Sequence, residues 1–223
     1  MVAHDHPPPK KPGTGTMSRM KRTCDVALAL FLLVLFAPCL VVIPLLIRWG
    51  SEGPVIYKAD RLGKGGKPIK IYKFRTMYLD ADERMASVLK ASDTFDREWS
   101  RLRKIREDPR CTPVGRILRR YSLDELPQLL NVLQGSMSIV GPRPYLPCDP
   151  SGRKDRLFER YATIILSVKP GLTGMWQTSG RNLLTHAERI RMDCLYVEKR
   201  NFFLDLYLII KTIPHLFAPQ GAC

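Results

Sequence analysis

Asp124 and Glu125 are adjacent carboxylates in the segment 121–130, which has the sequence YSLDELPQLL. Pro127 is tolerated only in the opening turn of a helix, so a helix is predicted to begin within 123–126. The unpaired N–H groups and the macrodipole at that helix start favour ionised carboxylates. A carboxylate of low pKa can act as a nucleophile and form an acyl phosphate, while a second carboxylate beside it can bind a metal ion.

The same residues also suit a purely structural role. Ser122 and Glu125 match the S-x-x-E capping box, and taken alone they favour a helix cap over a catalytic site. The sequence around them shifts the interpretation towards phosphate chemistry, because basic residues lie on both sides. Three of them precede the acidic pair within about two helical turns: Arg116, Arg119 and Arg120.

Two further basic groups suit phosphate binding. Pro142 and Pro144 hold the backbone of Arg143 extended, and a guanidinium fixed in this way can contact a phosphate through two hydrogen bonds. Lys73 and Arg75 are alternate residues of a predicted strand and therefore share one face. Each basic group alone is typical of a solvated surface. Together with two carboxylates and an apolar segment, they predict a site for a diphosphate with Mg²⁺, which prefers one or two carboxylates plus phosphate oxygens.

The composition limits the class of protein. The chain has 223 residues, 45% of them hydrophobic, which excludes a disordered chain, and its formal charge of +15 requires an anionic partner. Nucleic acid, anionic lipid and phosphorylated substrates all qualify, but no zinc finger, RNP-like aromatic strand or basic zipper supports nucleic acid. The cysteines show no CxxC spacing, which disfavours a secreted disulfide scaffold and a structural zinc site and fits reduced thiols in the cytosol.

An apolar segment, 24–47, contains a single charge, Asp25, and reaches the length of about 20 residues that a membrane helix needs. Pro38 lies in its middle and predicts a kink, since proline removes a backbone hydrogen bond. Basic residues flank both ends, so the segment lacks the one-sided Lys/Arg bias of a spanning helix. Two explanations remain open: a kinked span, which these observations alone favour, and a shallow hairpin that keeps both flanks on the cytoplasmic face.

Outside this segment the sequence predicts a helix-rich α+β fold. Residues 1–16 combine proline, glycine and charge and are predicted to be a disordered tail. Short runs at 55–59 and 69–77 predict a small β-ribbon, with RLGKGGKP as its turn. The predicted helices are those within 80–107 and at 114–120, 125–133, 155–166 and 186–199, and an aromatic and aliphatic helix at 201–217 that suits a membrane interface.

These motifs resemble a known family, the bacterial sugar transferases, and within it the small polyprenyl-phosphate hexose-1-phosphate transferases with one reentrant membrane helix. The resemblance covers nearly the whole chain beyond the tail. It rests on the proline-broken apolar segment, on YKFRTM (72–77), SLDELPQLLNVLQGSMSIVGPRP (122–144) and KPGLTGMWQTSGRN (169–182), and on Asp193 and Tyr196 before FFLDL. Exopolysaccharide-initiating members that load galactose-1-phosphate or glucose-1-phosphate are the most similar.

The resemblance implies roles for individual residues. Asp124 would attack the sugar-proximal phosphate of a UDP-hexose and release UMP, and undecaprenyl phosphate would then accept the hexose-1-phosphate. Glu125 would bind Mg²⁺. The other positions that match the family's motifs would contact phosphate, form the basic strand motif or provide a required acidic group: Arg119 and Arg143, Lys73 and Arg75, and Asp193.

The resemblance also implies an arrangement on the membrane. Residues 1–20 would be the disordered tail, 21–49 a reentrant membrane helix and 50–223 a cytosolic catalytic domain with an interfacial C-terminal helix, which reverses the preference for a span. The enzyme would lie on the cytoplasmic face of the bacterial inner membrane, beside anionic lipids and without nucleic acid. Galactose is favoured and glucose is next, although no residue can be tied to that choice, and the oligomeric state is not implied. A glycosyltransferase that releases UDP and a non-catalytic basic scaffold remain the alternatives.

Overall fold

The computed structural model describes residues 15–81, 83–84, 108, 110–147, 155–179 and 184–217. The helices are α1 (Gly15–Leu35), α2 (Ala37–Gly50), α3 (Pro113–Arg120), α4 (Gln128–Gln134), α5 (Arg156–Ile165), α6 (His186–Lys199) and α7 (Phe202–Phe217). The strands are β1 (Ile56–Leu62), β2 (Pro68–Phe74), β3 (Ser138–Val140) and β4 (Gly171–Thr173). The prediction of a helix-rich α+β fold is therefore confirmed.

Two predictions fall largely outside the described residues. Most of the tail predicted at 1–20 lies there, but α1 already begins at Gly15, so residues 15–20 are helical instead of forming part of a tail. The helices predicted within 80–107 also lie there, apart from the short stretch that ends at residue 84.

Helices α1 and α2 form a bent pair. They meet at Phe36, and Pro38 lies in the first turn of α2, where its missing N–H leaves a break in the hydrogen-bond ladder. Within the described residues no single helix has the length and hydropathy of a membrane span, whereas Arg19–Leu35 and Ala37–Gly50 together do, across a bend of 62°. The kink predicted from Pro38 is confirmed.

The N-terminal part of α1 belongs to the folded core. The buried carboxylate of Asp25 accepts hydrogen bonds from the Ser138 hydroxyl at 2.7 Å and from the Ile139 N–H at 3.1 Å. Arg22 donates to two carbonyls in the last turn of α4, whose orphan acceptors it satisfies. The core therefore begins inside the segment 21–49 that was predicted to be a membrane helix.

Two small sheets complete the core. Strands β1 and β2 pair antiparallel from Ile56 with Phe74 to Leu62 with Pro68, which is the predicted ribbon. Strands β3 and β4 pair in parallel and were not predicted, because three residues are too short to show an alternating pattern. The main apolar core joins α1, β3, α4, α6 and α7 through buried side chains that include Ala29, Val132, Met137, Tyr196 and Leu208. A second cluster joins α2 to α3 and β2 through Ile43, Ile47, Phe74 and Leu118.

Large apolar side chains remain exposed on both sides of the bend and along one side of α7. We call them the apolar surface: Leu30, Phe31, Val34, Leu35, Val41, Val42, Leu45, Leu46, Trp49, Phe202, Phe203, Leu206, Tyr207, Ile210 and Ile213. Leu208 on the other side of α7 is buried, so this helix has an inner and an outer apolar side. Large apolar side chains exposed in such numbers are typical of proteins that contact a membrane or another protein.

Candidate active site

A sharp turn between α3 and α4 carries the two carboxylates. Ser122 takes a left-handed conformation with φ of 57°, and a 3₁₀ turn, Leu123–Glu125, follows before α4 begins at Gln128. The side chain of Ser122 makes no capping hydrogen bond, so the predicted capping box is not formed. A non-glycine residue with positive φ stores strain, and strain of this kind concentrates at functional sites.

Lys73 on β2 links the two carboxylates. Its Nζ lies 2.6 Å from Glu125 Oε1 and 3.7 Å from Asp124 Oδ2. Asp124 is only 7% exposed, and this burial raises the pKa of its carboxyl. The positive charge of Lys73 lowers that pKa, the charge of Glu125 raises it, and Arg119 lowers it again. The prediction of a low pKa from the helix terminus was therefore wrong, because desolvation exceeds it, and the ionised form of Asp124 depends on neighbouring cations.

Arg119 approaches the same carboxylate from α3. Its Nε donates to the Thr76 hydroxyl at 3.0 Å, and its Nη1 lies 3.1 Å from Cys111 Sγ. A looser ion pair of 3.8 Å joins it to the buried Asp108. Arg119 is thus fixed in orientation and acts on Asp124 through its charge.

Arg75 lies apart from this group. Its guanidinium donates to the carbonyl oxygens of Ser51 and Glu52 and, at 2.9 Å, to the Ser51 hydroxyl. These contacts fix the segment that follows α2. The pairing of Lys73 and Arg75 on one strand face fails because β2 ends at Phe74 and Arg75 turns away to those carbonyls.

Arg143 lies on the loop 141–145, which is bonded to strands on both sides. The Gly141 N–H donates to Thr173 at 2.9 Å, the Gly171 N–H donates to Pro142 at 2.8 Å, and the Leu62 N–H donates to Tyr145 at 2.8 Å. A Cβ atom on Gly171 would collide with the backbone of Gly141, so the two backbone segments can approach this closely only because glycine has no side chain. The exposed guanidinium of Arg143 lies over the Trp176 ring, 5.1 Å from its centroid.

Asp193 holds this loop through two hydrogen bonds. Its side chain is completely buried on α6, and its Oδ2 accepts from the Tyr145 hydroxyl at 2.8 Å and from the Arg143 N–H at 3.3 Å. Burial raises the pKa of Asp193 to about 7, against the opposing effects of the Tyr145 hydroxyl and of Arg143. Asp193 therefore acts as a positioning residue for Arg143.

Asp193→Asn is expected to change how stability depends on pH. The folded protein keeps a proton on Asp193 up to about pH 7, whereas the unfolded chain releases it near pH 4, so this carboxyl makes the wild type less stable as pH rises between those values. The free energy of unfolding of the variant, relative to that of wild type, should increase by on the order of 1–3 kcal/mol from pH 5 to pH 8. Urea unfolding at both pH values measures the difference.

Asp60→Asn, at an exposed carboxylate on β1, controls for the change in net charge alone. An equal pH dependence in wild type and Asp193→Asn would contradict a proton held on Asp193.

One cleft is lined by Lys73, Glu125 and Gln128 together with Arg61 and Arg143. Sequence reasoning missed Arg61, Gln128, Trp176 and Arg189. Trp176 lies inside the motif KPGLTGMWQTSGRN and could have been found there, whereas the two arginines carry no local signal.

The donor atoms at the carboxylate end of the cleft fit magnesium. Within the described ranges no group of three or more His, Cys, Asp or Glu side chains could hold a metal ion by itself. Asp124 and Glu125 offer two adjacent carboxylates, which is the set that binds Mg²⁺ when phosphate oxygens complete the coordination. The partly exposed Glu125 is the more accessible of the two.

Comparison with known proteins identifies the family of this chain. The family model of the bacterial sugar transferases matches residues 16–219. The chain is 41% identical over 202 residues to the exopolysaccharide production protein ExoY of Rhizobium meliloti, covering 91% of this chain and 87% of the relative. It is 38% identical to the UDP-glucose:undecaprenyl-phosphate glucose-1-phosphate transferase of Caulobacter vibrioides, over 91% of this chain and 71% of the relative. It is 39% identical to the undecaprenyl-phosphate galactose phosphotransferase of Salmonella typhimurium, over 91% of this chain and 41% of the relative. Matches over almost its entire length thus establish that this chain is an enzyme of the bacterial sugar transferase family.

Proposed function

We propose that the enzyme transfers hexose-1-phosphate from a UDP-hexose to undecaprenyl phosphate and so initiates exopolysaccharide synthesis. The observation that carries this proposal is the buried Asp124 carboxylate, 3.7 Å from Lys73 and next to Glu125, two residues that line the same cleft as Arg143. A buried carboxylate with flanking cations suits attack on an anionic phosphate. The names of the Salmonella and Caulobacter relatives state the same class of donor or acceptor.

The reaction runs as two displacements at one phosphorus atom. An Asp124 carboxylate oxygen forms a bond to the sugar-proximal phosphorus of the UDP-hexose, and the bond from that phosphorus to the bridging oxygen breaks. UMP leaves with the electron pair, and the hexose phosphate remains on Asp124 as an acyl phosphate. An oxygen of undecaprenyl phosphate then attacks the same phosphorus, which frees the Asp124 carboxylate and yields the diphosphate-linked hexose.

The chain's own cations do most of the electrostatic work. The charges of Lys73 and Arg119 lower the pKa of Asp124 against the effect of burial, and each can neutralise charge on the transferring phosphate. Arg143, held by Pro142, Pro144 and the Asp193 contact, suits a second phosphate oxygen of the donor. Glu125 would hold Mg²⁺, which when bound supplies further positive charge to the diphosphate.

A location at the membrane follows from the acceptor. Undecaprenyl phosphate is confined to the lipid phase, while a UDP-hexose is soluble, so the carboxylates must work at headgroup depth. The apolar surface and the bent α1–α2 pair support insertion as a reentrant hairpin on the cytoplasmic face of the inner membrane. The formal charge of +15 supports attraction to anionic lipids, at about 1 kcal/mol per basic side chain near the surface.

The hexose is proposed to be galactose, with glucose as the next choice. The relatives include enzymes named for each of these sugars at similar identity. The two hexoses differ in the configuration of one hydroxyl group, so a panel of UDP-hexoses is part of the test.

The nucleotide product is expected to be UMP. Full-length protein in detergent, supplied with Mg²⁺, a UDP-hexose panel and undecaprenyl phosphate, should form UMP and lipid-linked hexose diphosphate in equal amounts. Without the acceptor, at most about one equivalent of UMP per enzyme should appear, because Asp124 then stays occupied. Chromatographic separation of the nucleotides measures both.

Two outcomes would contradict the proposal. UDP as the product would identify a glycosyltransferase that moves the sugar alone. No nucleotide from any UDP-hexose would favour a non-catalytic scaffold.

A further inference from the structure

Two arginines, Arg61 and Arg143, line the cleft, and a third, Arg189, shares the Trp176 ring with Arg143. Arg61 comes from β1, Arg143 from the loop 141–145 and Arg189 from α6. Arg143 and Arg189 each lie 5.1 Å from the centroid of the Trp176 ring, which is 3% exposed and holds both guanidiniums by cation–π contact. We call Arg61, Arg143 and Arg189 the arginine triad.

The arginine triad forms no ion pair among the described residues, although the charge of Asp60 acts on Arg61 and the charge of Arg143 acts on Asp193. Arg61 donates to the Asp60 carbonyl and Arg189 to the Leu184 carbonyl. Burial and the charge of Arg143 lower the pKa of both Arg61 and Arg189, a sign of mutual repulsion. Guanidiniums that repel one another and form no ion pair among the described residues suit a doubly charged anion with several oxygens.

A second observation points to the same kind of ligand. Gln128 is 2% exposed and lines the same cleft as Glu125 and Arg143. Its Nε2 finds no hydrogen-bond acceptor among the described residues. A buried donor without an acceptor is costly, and an oxygen-rich ligand in the cleft would satisfy it.

We propose that the arginine triad, with Gln128, forms one subsite for two phosphate monoesters. UMP leaves this subsite in the first displacement, and undecaprenyl phosphate attacks from it in the second. This inference rests on the proposed function and adds Arg61 and Arg189 to it. UMP and undecaprenyl phosphate share one reacting group, a phosphate monoester dianion. Each of them must stand in line with the bond between phosphorus and Asp124, on the side away from the carboxylate, so one set of cations can serve both.

The balance of the two steps is consistent with a shared subsite. In the first step the bridging oxygen stays with UMP and the triad receives the charge that develops on it. In the second step an oxygen of the prenyl phosphate forms the new bond to phosphorus, and its charge passes back to Asp124. No proton has to be supplied or removed in either step.

The test measures binding without turnover. Arg61→Gln and Arg189→Gln should each weaken UMP binding by about tenfold or more, because a hydrogen bond between charged groups is lost, while uridine binding should change little. Arg191→Gln, at an exposed arginine on the same helix α6, is the matched control and should stay within about twofold of wild type. Isothermal titration with UMP, uridine and inorganic phosphate gives these affinities.

The second arm uses the acceptor. With a short-chain prenyl monophosphate in detergent, both variants should raise KM by a factor similar to their effect on the dissociation constant of UMP. Arg61→Lys and Arg189→Lys keep the charge but lose the planar fork, so they should give intermediate values. Thermal unfolding of each variant shows that the fold is kept.

Each deviation from these results overturns the inference. Unchanged UMP affinity in both glutamine variants, or an equal loss for uridine and UMP, would remove the triad from phosphate binding. A weaker affinity for UMP with an unchanged KM for the prenyl phosphate would refute a shared subsite. Since UMP titration needs no catalysis, a failure here is distinct from a failure of the covalent mechanism, which the nucleotide-product assay reports.

Discussion

Asp124→Asn is expected to lower turnover by at least about 10³-fold and to remove the covalent intermediate. The amide has nearly the same shape as the carboxylate but no nucleophilic oxygen of comparable strength. Lys73 keeps its 2.6 Å contact with Glu125 in the variant, so the cleft retains its cation and its fold. The loss of activity should therefore come from chemistry and not from unfolding.

Intact mass spectrometry provides the measurement. Wild type incubated with Mg²⁺ and UDP-galactose or UDP-glucose, without acceptor, should gain the mass of one phosphohexose, whereas Asp124→Asn should gain none. Glu159→Gln, at an exposed carboxylate on α5, is the control and should form the adduct like wild type. If Asp124→Asn transferred hexose phosphate at the wild-type rate, Asp124 could not be the nucleophile.

Asp25→Ala is expected to lower the free energy of unfolding by roughly 2–4 kcal/mol. The substitution leaves the Ser138 hydroxyl and the Ile139 N–H, both buried between α1 and β3, without their acceptor. Unpaired donors in an apolar core cost their full desolvation energy. Urea unfolding in mild detergent, followed by circular dichroism, measures the change.

Asp60→Ala supplies the comparison for this stability effect. Its carboxylate pairs with Lys70 on the ribbon at 3.0 Å, but both side chains are 62% exposed, so a loss of less than about 1 kcal/mol is expected. Asp25→Asn keeps one acceptor oxygen and should fall between the two. Equal effects of Asp25→Ala and Asp60→Ala would mean that α1 is not anchored to β3 through Asp25.

The boundary of the membrane segment illustrates what a sequence pattern cannot resolve. Apolar length and Pro38 correctly predict a bent helical segment, because both act through the local backbone. Asp25 reads as a single charge at the edge of an apolar run. Its true role depends on Ser138 and Ile139, which are distant in sequence, so only the tertiary structure shows that α1 joins the core at Asp25 and Ala29.

The active site divides in the same way. Asp124, Glu125 and Arg119 lie within one short stretch of chain, where helix and turn preferences bring them together. Strand alternation predicts that Lys73 lies on a face that can bind phosphate, and Lys73 does contact both carboxylates. The same alternation predicts that Arg75 shares this face. The strand ends one residue earlier, at Phe74, so the alternation does not extend to Arg75.

By itself, the amino-acid sequence determines the family, the helix-rich α+β class and the bent apolar segment, and it singles out the two candidate carboxylates. These follow from contiguous motifs, in which residue type and local spacing are sufficient. The tertiary structure alone decides that burial raises the pKa of Asp124, that Asp193 hydrogen-bonds the backbone of Arg143, and that Arg143 and Arg189 converge on Trp176. The reason is that desolvation and like-charge clustering depend on how β1, the loop 141–145 and α6 pack, and no local pattern encodes the contacts between elements so distant in the chain.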